Sequence, residues 1–237
     1  MTERTGREYV LRPIATIRTD FPTKFGVPRQ AGIVDALEAT VVFAPPYRVD
    51  EALRGLEGVS HLWLIWRFSE NPETDWSPTV RPPRLGGNKR VGVFATRSPF
   101  RPNALGLSCV RLLGIEKTDK LGTVLRVSGA DLVDGTPIFD IKPYLPYADC
   151  IPEAHADIAP DAGATLSVVI PEEWEAMLPE GKRAALRGVL ANDPRPRYQH
   201  DASRIYALLF AGFDIKFTVS GDTLSVTGIE RNDDHNV

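Results

Sequence analysis

The chain has 237 residues, 43% hydrophobic and 25% charged, which is globular composition with room for one sizeable core and a small second unit. A formal net charge of -3 excludes a polycation, so contact with nucleic acid has to come from a local basic patch. The longest apolar stretches, such as 62–66, are too short to span a bilayer.

The N-terminal decapeptide MTERTGREYV has neither the apolar run nor the small-residue cleavage pattern of a secretory signal, which points to the cytoplasm. Twenty prolines and 19 glycines then punctuate the chain and argue against long helices over its first two thirds. Short β-branched and aromatic runs between turn signals predict strands at 14–18, 37–43, 62–68, 91–95, 110–115 and 124–127. One short helix is expected at 50–56, with Asp50 as its cap and Gly58 as its end. Many short strands with Gly/Pro turns suggest a sandwich or a closed barrel, because a doubly wound sheet needs a helix after most strands. No Gly-x-Gly-x-x-Gly follows any strand.

Composition changes near residue 155. The stretch 151–164 reads as a linker, and beyond it 172–178 and 181–190 have helical periodicity, separated by Pro179. Two strands follow, with Ile215, Phe217 and Val219, then Leu224 and Val226, alternating around a turn at 220–222. The polar tail 231–237 is expected to fray. The fold class is therefore mainly β, with a first unit at 1–155 and a small α+β unit at 165–230.

The stretch 81–101, RPPRLGGNKRVGVFATRSPFR, holds six basic residues (Arg81, Arg84, Lys89, Arg90, Arg97, Arg101) and no acid. Guanidinium forks on a Gly- and Pro-rich loop with free backbone amides suit phosphate recognition. A second basic turn is KFGVPRQ at 24–30, where a solvated loop is the commoner explanation. A third run, from Asp131 through DG at 134–135 to DIKPYLPYAD at 140–149, concentrates carboxylates and tyrosines. Asp134 belongs to a turn dipeptide. Asp140, between Phe139 and Ile141, needs a partner if buried, and Lys142 or a loop arginine is available. The four histidines and Cys109 and Cys150 have no metal-ligand spacing, so no metal is expected, and the thiols read as reduced. No nucleophile elbow is present, which disfavours covalent catalysis.

Taken together, KFGVPRQ, ALRGLEGVSHLWLIWRF, VRPPRLGGNKRVGVFATRSPFRPNALGLS and DLVDGTPIFDIKPYLPYAD resemble the TrmO family of tRNA methyltransferases over about residues 10–152, and DPRPRY at 193–198 extends the likeness. The resemblance implies a β-barrel enzyme that uses S-adenosylmethionine (SAM), forms a homodimer, and methylates the 6-amino nitrogen of threonylcarbamoyladenosine beside the anticodon of threonine tRNA. Its implied cofactor contacts fall on Pro28, Arg29 and Gln30, on Arg97, on Leu107, and on Ser128, Gly129, Ala130 and Asp131. Family members carry His-Gln after the Trp-bearing strand; here Ser69 and Glu70 stand there.

Methyl transfer is an in-line displacement and largely a positioning problem, helped by a group that localises the nitrogen lone pair. Asp131 or Asp140 is the expected acceptor of the amino proton, with cofactor binding a competing role for Asp131. Tyr144 or Tyr147 would stack on a base. Arg97 or Arg101 would fork onto the threonyl carboxylate. Arg84, Lys89, Arg90 and Arg101, with Arg195 and Arg197 beyond the linker, are the expected RNA contacts at the anticodon loop. Two rival readings are a non-catalytic RNA-binding barrel and a SAM enzyme with a small-molecule acceptor.

Overall fold

In the computed structural model the described residues are 9–70, 76–82, 89–158, 164–195 and 201–232. Arg84, Arg197, part of the expected linker and most of the tail lie outside them.

The chain is mainly β. Strands β1 (Ala15–Arg18), β2 (Glu38–Phe43), β3 (His61–Arg67), β6 (Leu105–Thr118), β7 (Gly122–Ser128) and β8 (Pro137–Pro143) pair antiparallel in the order β1-β2-β7-β6-β3-β8, and β8 returns to β1 to close a barrel. Closure leaves no open edge in this sheet. The period-2 pattern decides which side chains fill it. On β3, Leu62, Leu64 and Trp66 are buried while the alternate His61, Trp63 and Ile65 are only partly covered. Ile17, Val41, Val110, Leu125, Val127 and Ile138 meet them from the other strands. Each fully buried aliphatic side chain of this kind contributes roughly 1.5–3 kcal/mol.

Between β3 and β6 runs a two-stranded ribbon, β4 (Thr79–Val80) with β5 (Val91–Gly92). The strand expected at 91–95 stops early, because Val93–Ala95 turns into a 3-10 helix closed by Thr96 Oγ1 donating to the Val93 carbonyl at 2.8 Å. The helix expected at 50–56 is two 3-10 turns, Asp50–Leu53 and Leu56–Gly58, separated by Gly55 at φ 96°. Asp50 is no cap. Its carboxylate takes the Lys117 ammonium at 2.6 Å and the Thr123 hydroxyl at 2.6 Å. The 110–115 strand extends to 14 residues with a bulge between Leu112 and Gly114.

After the short α1 (Pro146–Asp149), a four-stranded sheet has the order β10-β11-β12-β9 (Tyr206–Phe210, Phe213–Ser220, Thr223–Arg231, Ser167–Val169). Its core joins Phe210, Phe217 and Leu224 to Leu186 and Leu190 of α3 (Glu180–Ala191). Helix α2 covers only Glu172–Glu175. The β1–β2 connection packs here and not inside the barrel: Phe21, Val34 and Leu37 belong to this second core, with Phe25, Val27 and Ile33 against it. Gly26, at φ 90°, lies so close to the sheet that a Cβ would fall 2.2 Å from Leu208 Cδ1.

Candidate active-site cleft

A cleft of about 430 Å³ opens where the β1–β2 connection crosses the barrel. The connection supplies Lys24, Val27, Pro28, Arg29 and Gln30; the end of β3 supplies Trp66, Phe68, Ser69 and Glu70. The turn after β5 adds Thr96, Arg97, Pro99 and Arg101, and β6 adds Leu105, Gly106 and Leu107. Asp131, Leu132, Val133 and Thr136 close the lining. A volume of this size, with apolar walls and a few charged groups, is of the class that holds a small-molecule cofactor.

Asp131 is held in the cleft by a chain of hydrogen bonds. The Trp66 indole N–H donates to Ser108 Oγ at 2.9 Å, and the Ser108 hydroxyl donates to Asp131 Oδ1 at 2.5 Å. Burial pushes the Asp131 carboxyl above its ordinary pKa, while the Ser108 bond, backbone N–H donors at Asp131 and Ala31, and the Arg97 charge act in the opposite direction. Desolvation is the larger influence, so this carboxylate holds a proton more readily than a surface aspartate.

Two glycines allow this geometry. Gly129, at φ 77°, donates its N–H to the Leu37 carbonyl and accepts from Gly32 N, each at 2.8 Å, and a Cβ on it would come within 3.3 Å of the Gly32 backbone. That approach lays the 29–31 turn over Asp131. Gly106 lies beneath the Trp66 indole, where a Cβ would sit 2.2 Å from Cε2. The Trp66 ring also meets Phe68 edge-on at 4.4 Å, fixing the indole that orients Ser108.

Beside it, Arg97 Nη1 donates to Gln30 Oε1, and Gln30 Nε2 to the Arg29 carbonyl. Arg101 Nη1 donates to the Thr96 and Ser98 carbonyls at 3.0 and 3.2 Å, so part of its fork shapes its own loop. The basic and acidic runs therefore meet at Arg97, Arg101 and Asp131.

Of the residues singled out in the sequence, Pro28, Arg29, Gln30, Ser69, Glu70, Arg97, Arg101, Leu107 and Asp131 line the cleft. Ser128, Gly129 and Ala130 do not; they are buried in the chain that leads to Asp131. Asp140 is turned to the outside of β8, half-exposed and 2.9 Å from Lys142 Nζ, because its strand position opposes Ile65 on the outer face. Tyr144 is equally remote from the lining and packs on Trp63 at 5.8 Å and on His61 at 6.3 Å. Asp134 anchors a turn, accepting from Thr19 N at 2.9 Å. Lys89 and Arg90 are exposed at the start of β5. Arg195 lays its fork on Asp193 at 2.8 and 3.0 Å, which neutralises it. Trp66, Phe68, Gly106 and Ser108 were not singled out. The available signal was a serine on the core-facing phase of β6, between Gly106 and Val110, where a hydroxyl has to find a partner.

Among the described residues no group of three or more His, Cys, Asp or Glu side chains gathers at metal-binding range. Nor, among them, is any helix long and apolar enough to cross a membrane.

Comparison with known proteins places this architecture. Residues 16–150 match the model of the tRNA-methyltransferase O N-terminal domain, and residues 163–232 that of the TrmO C-terminal domain. The chain belongs to the TrmO family. It is 42% identical over 226 residues to a tRNA (adenine(37)-N6)-methyltransferase of Escherichia coli (strain K12), covering 92% of this chain and 96% of that one. A Pseudomonas aeruginosa protein described as a putative S-adenosylmethionine-dependent methyltransferase RcsF is 42% identical over 211 residues, 86% of this chain and 89% of its own length. A crystal structure of P. aeruginosa TrmO superposes with a TM-score of 0.80 at 34% identity, covering 97% of this chain and all of that one. Family membership and cleft thus coincide on the same residues, since every cleft-lining residue lies within the TrmO N-terminal match.

Proposed function

We propose that the protein transfers a methyl group from SAM to the 6-amino nitrogen of adenosine 37 in tRNA, with the threonylcarbamoylated base of threonine tRNA as its target. The observation that carries this reading is the convergence of Gln30, Arg97 and Asp131 on one cleft in a chain with the TrmO family's domains. SAM supplies an activated methyl on a cationic sulfur. The residues present fit such a ligand: Trp66, Phe68 and Leu107 offer apolar surface for a purine, Arg29 and Arg97 offer forks for a carboxylate, and Asp131 offers a half-buried negative charge.

Asp131 is placed to receive the proton leaving the amino nitrogen. A carboxylate whose pKa burial raises is a stronger base than a solvated one, and the hydrogen bond from Ser108 fixes its direction. Arg97, held by Gln30, orients groups beside Asp131. Arg101, braced by the loop carbonyls, remains the choice for a threonyl carboxylate at the rim. Single-stranded loops are read by stacking and edge contacts with phosphates giving register, which suits an anticodon loop.

The remaining parts of the reading are a cytoplasmic homodimer and two units, 1–155 and 165–230, the second bracing the β1–β2 connection through Val34 and Leu37. Nucleoside mass spectrometry of tRNA incubated with the protein and SAM tests the function. Methylated threonylcarbamoyladenosine is the expected product. Tight RNA binding with no SAM affinity would support a non-catalytic barrel, and SAM turnover with no change in tRNA would support a small-molecule acceptor.

A further inference from the structure

Trp76 and Phe94 stack on one another outside the cleft, ring centroids 6.3 Å apart and planes 21° from parallel. They are nevertheless 49% and 73% exposed, and Trp76 is the one tryptophan of the four left in the exposed class. Their positions are fixed by backbone. Val93 N–H donates to the Pro78 carbonyl at 3.0 Å and Ser77 N–H to the Phe100 carbonyl at 3.4 Å, extending the Thr79↔Gly92 and Val80↔Val91 pairing toward the barrel. Val93 is buried, so the 3-10 turn it starts presents the next side chain, Phe94, to water. At the other end of the same ribbon Arg81, Lys89 and Arg90 are all exposed. From Phe94 the chain runs straight into the cleft wall at Thr96 and Arg97.

We infer that the Trp76–Phe94 pair is a stacking platform for an unpaired RNA base adjacent to the one held in the cleft, with Arg81, Lys89 and Arg90 following the phosphates. A flat aromatic face held open beside cations on one ribbon is the arrangement that binds single strands, because each base has a face to stack and each linkage a charge to meet. Positive charge on the same ribbon favours a polyanion, whereas two copies meeting face to face through this patch would set like charges against each other. The inference rests on the tRNA reading for the identity of the RNA and adds the surface that holds the neighbouring base.

The test measures affinity of the full-length protein for a 5′-labelled anticodon stem-loop transcript by fluorescence anisotropy across a salt series, with sedimentation velocity on each variant. Phe94→Ala is expected to weaken binding roughly 10- to 100-fold with an unchanged salt slope, since it removes stacking and no charge. Phe94→Trp retains affinity. A Lys89→Ala/Arg90→Ala double variant lowers the slope by about two. Circular dichroism and a SAM Kd within about twofold of the parent protein verify that the exposed-ring variants are folded. Affinity of Phe94→Ala equal to the parent's overturns the platform, and so does a change in sedimentation, which would mean that the rings meet a second copy. The two readings separate: failure of the parent protein to bind SAM with RNA binding still lost in Phe94→Ala removes the methyltransferase and leaves the platform, whereas methylation with unaltered binding does the reverse.

Discussion

Ser108 donates its hydroxyl hydrogen to Asp131 at 2.5 Å while accepting the Trp66 indole N–H at 2.9 Å, so one small side chain couples an aromatic wall to the cleft's half-buried carboxylate. The bond favours the ionised form of Asp131 against the desolvation that disfavours it. In Ser108→Ala the carboxyl therefore binds its proton more tightly, and the acid limb of the pH–rate profile moves to higher pH. Loss of a hydrogen bond to a charged group costs about 1.5–3 kcal/mol, felt as slower methylation on the acid side of the profile. Ser108→Thr restores much of it. An unchanged profile in the alanine variant would make Ser108 a packing residue.

Asp131→Asn should separate activity from stability. Losing the proposed proton acceptor should lower the rate by roughly 10²- to 10⁴-fold. The folded pKa of Asp131 is raised, so the folded chain binds this proton more tightly than the unfolded one. That contribution is fully present below the unfolded value of about 4 and is lost as pH rises to the folded value. Above that window the partly desolvated charge opposes folding, and asparagine removes it. Thermal melts should place Asp131→Asn at or above the parent at pH 8, with the difference closing in acid. A lower melting temperature at pH 8 would mean that the ionised carboxylate is a net stabiliser.

Gly106→Ala is expected to disturb the cleft from below. The new methyl would meet the Trp66 ring at 2.2 Å, which forces the indole off Ser108. Overpacking of this kind costs about 1–3 kcal/mol. A drop in melting temperature together with weaker SAM binding by calorimetry is the expected pair of results, and loss of neither would show that the indole can shift freely.

The second core should matter to the 24–30 turn that lines the cleft. Leu208 is fully buried beneath Gly26, two residues before Pro28. Leu208→Ala leaves a cavity worth about 2–5 kcal/mol of stability and releases the 24–30 turn. Weaker SAM affinity is expected although residue 208 does not line the cleft. Affinity equal to the parent's at a temperature where the variant is folded would mean that the turn holds itself.

The sequence alone was sufficient for the mainly β class, because short β-branched and aromatic runs between Gly/Pro turns leave no room for long helices; that Leu62, Leu64 and Trp66 face inward was decided by strand pairing, since Trp63 and Ile65 between them are apolar too. Its motifs also marked Gln30, Arg97 and Asp131. Only the tertiary structure brought Trp66, Ser108 and Asp131 into one chain of hydrogen bonds, since these partners are 42 and 23 residues apart and meet through strand register. Register likewise turned Asp140 outward, and the proximity of Asp193 neutralised Arg195. The packing of Phe21, Val34 and Leu37 into the second core was equally illegible, because apolar character says that a side chain will be buried and not which core will bury it.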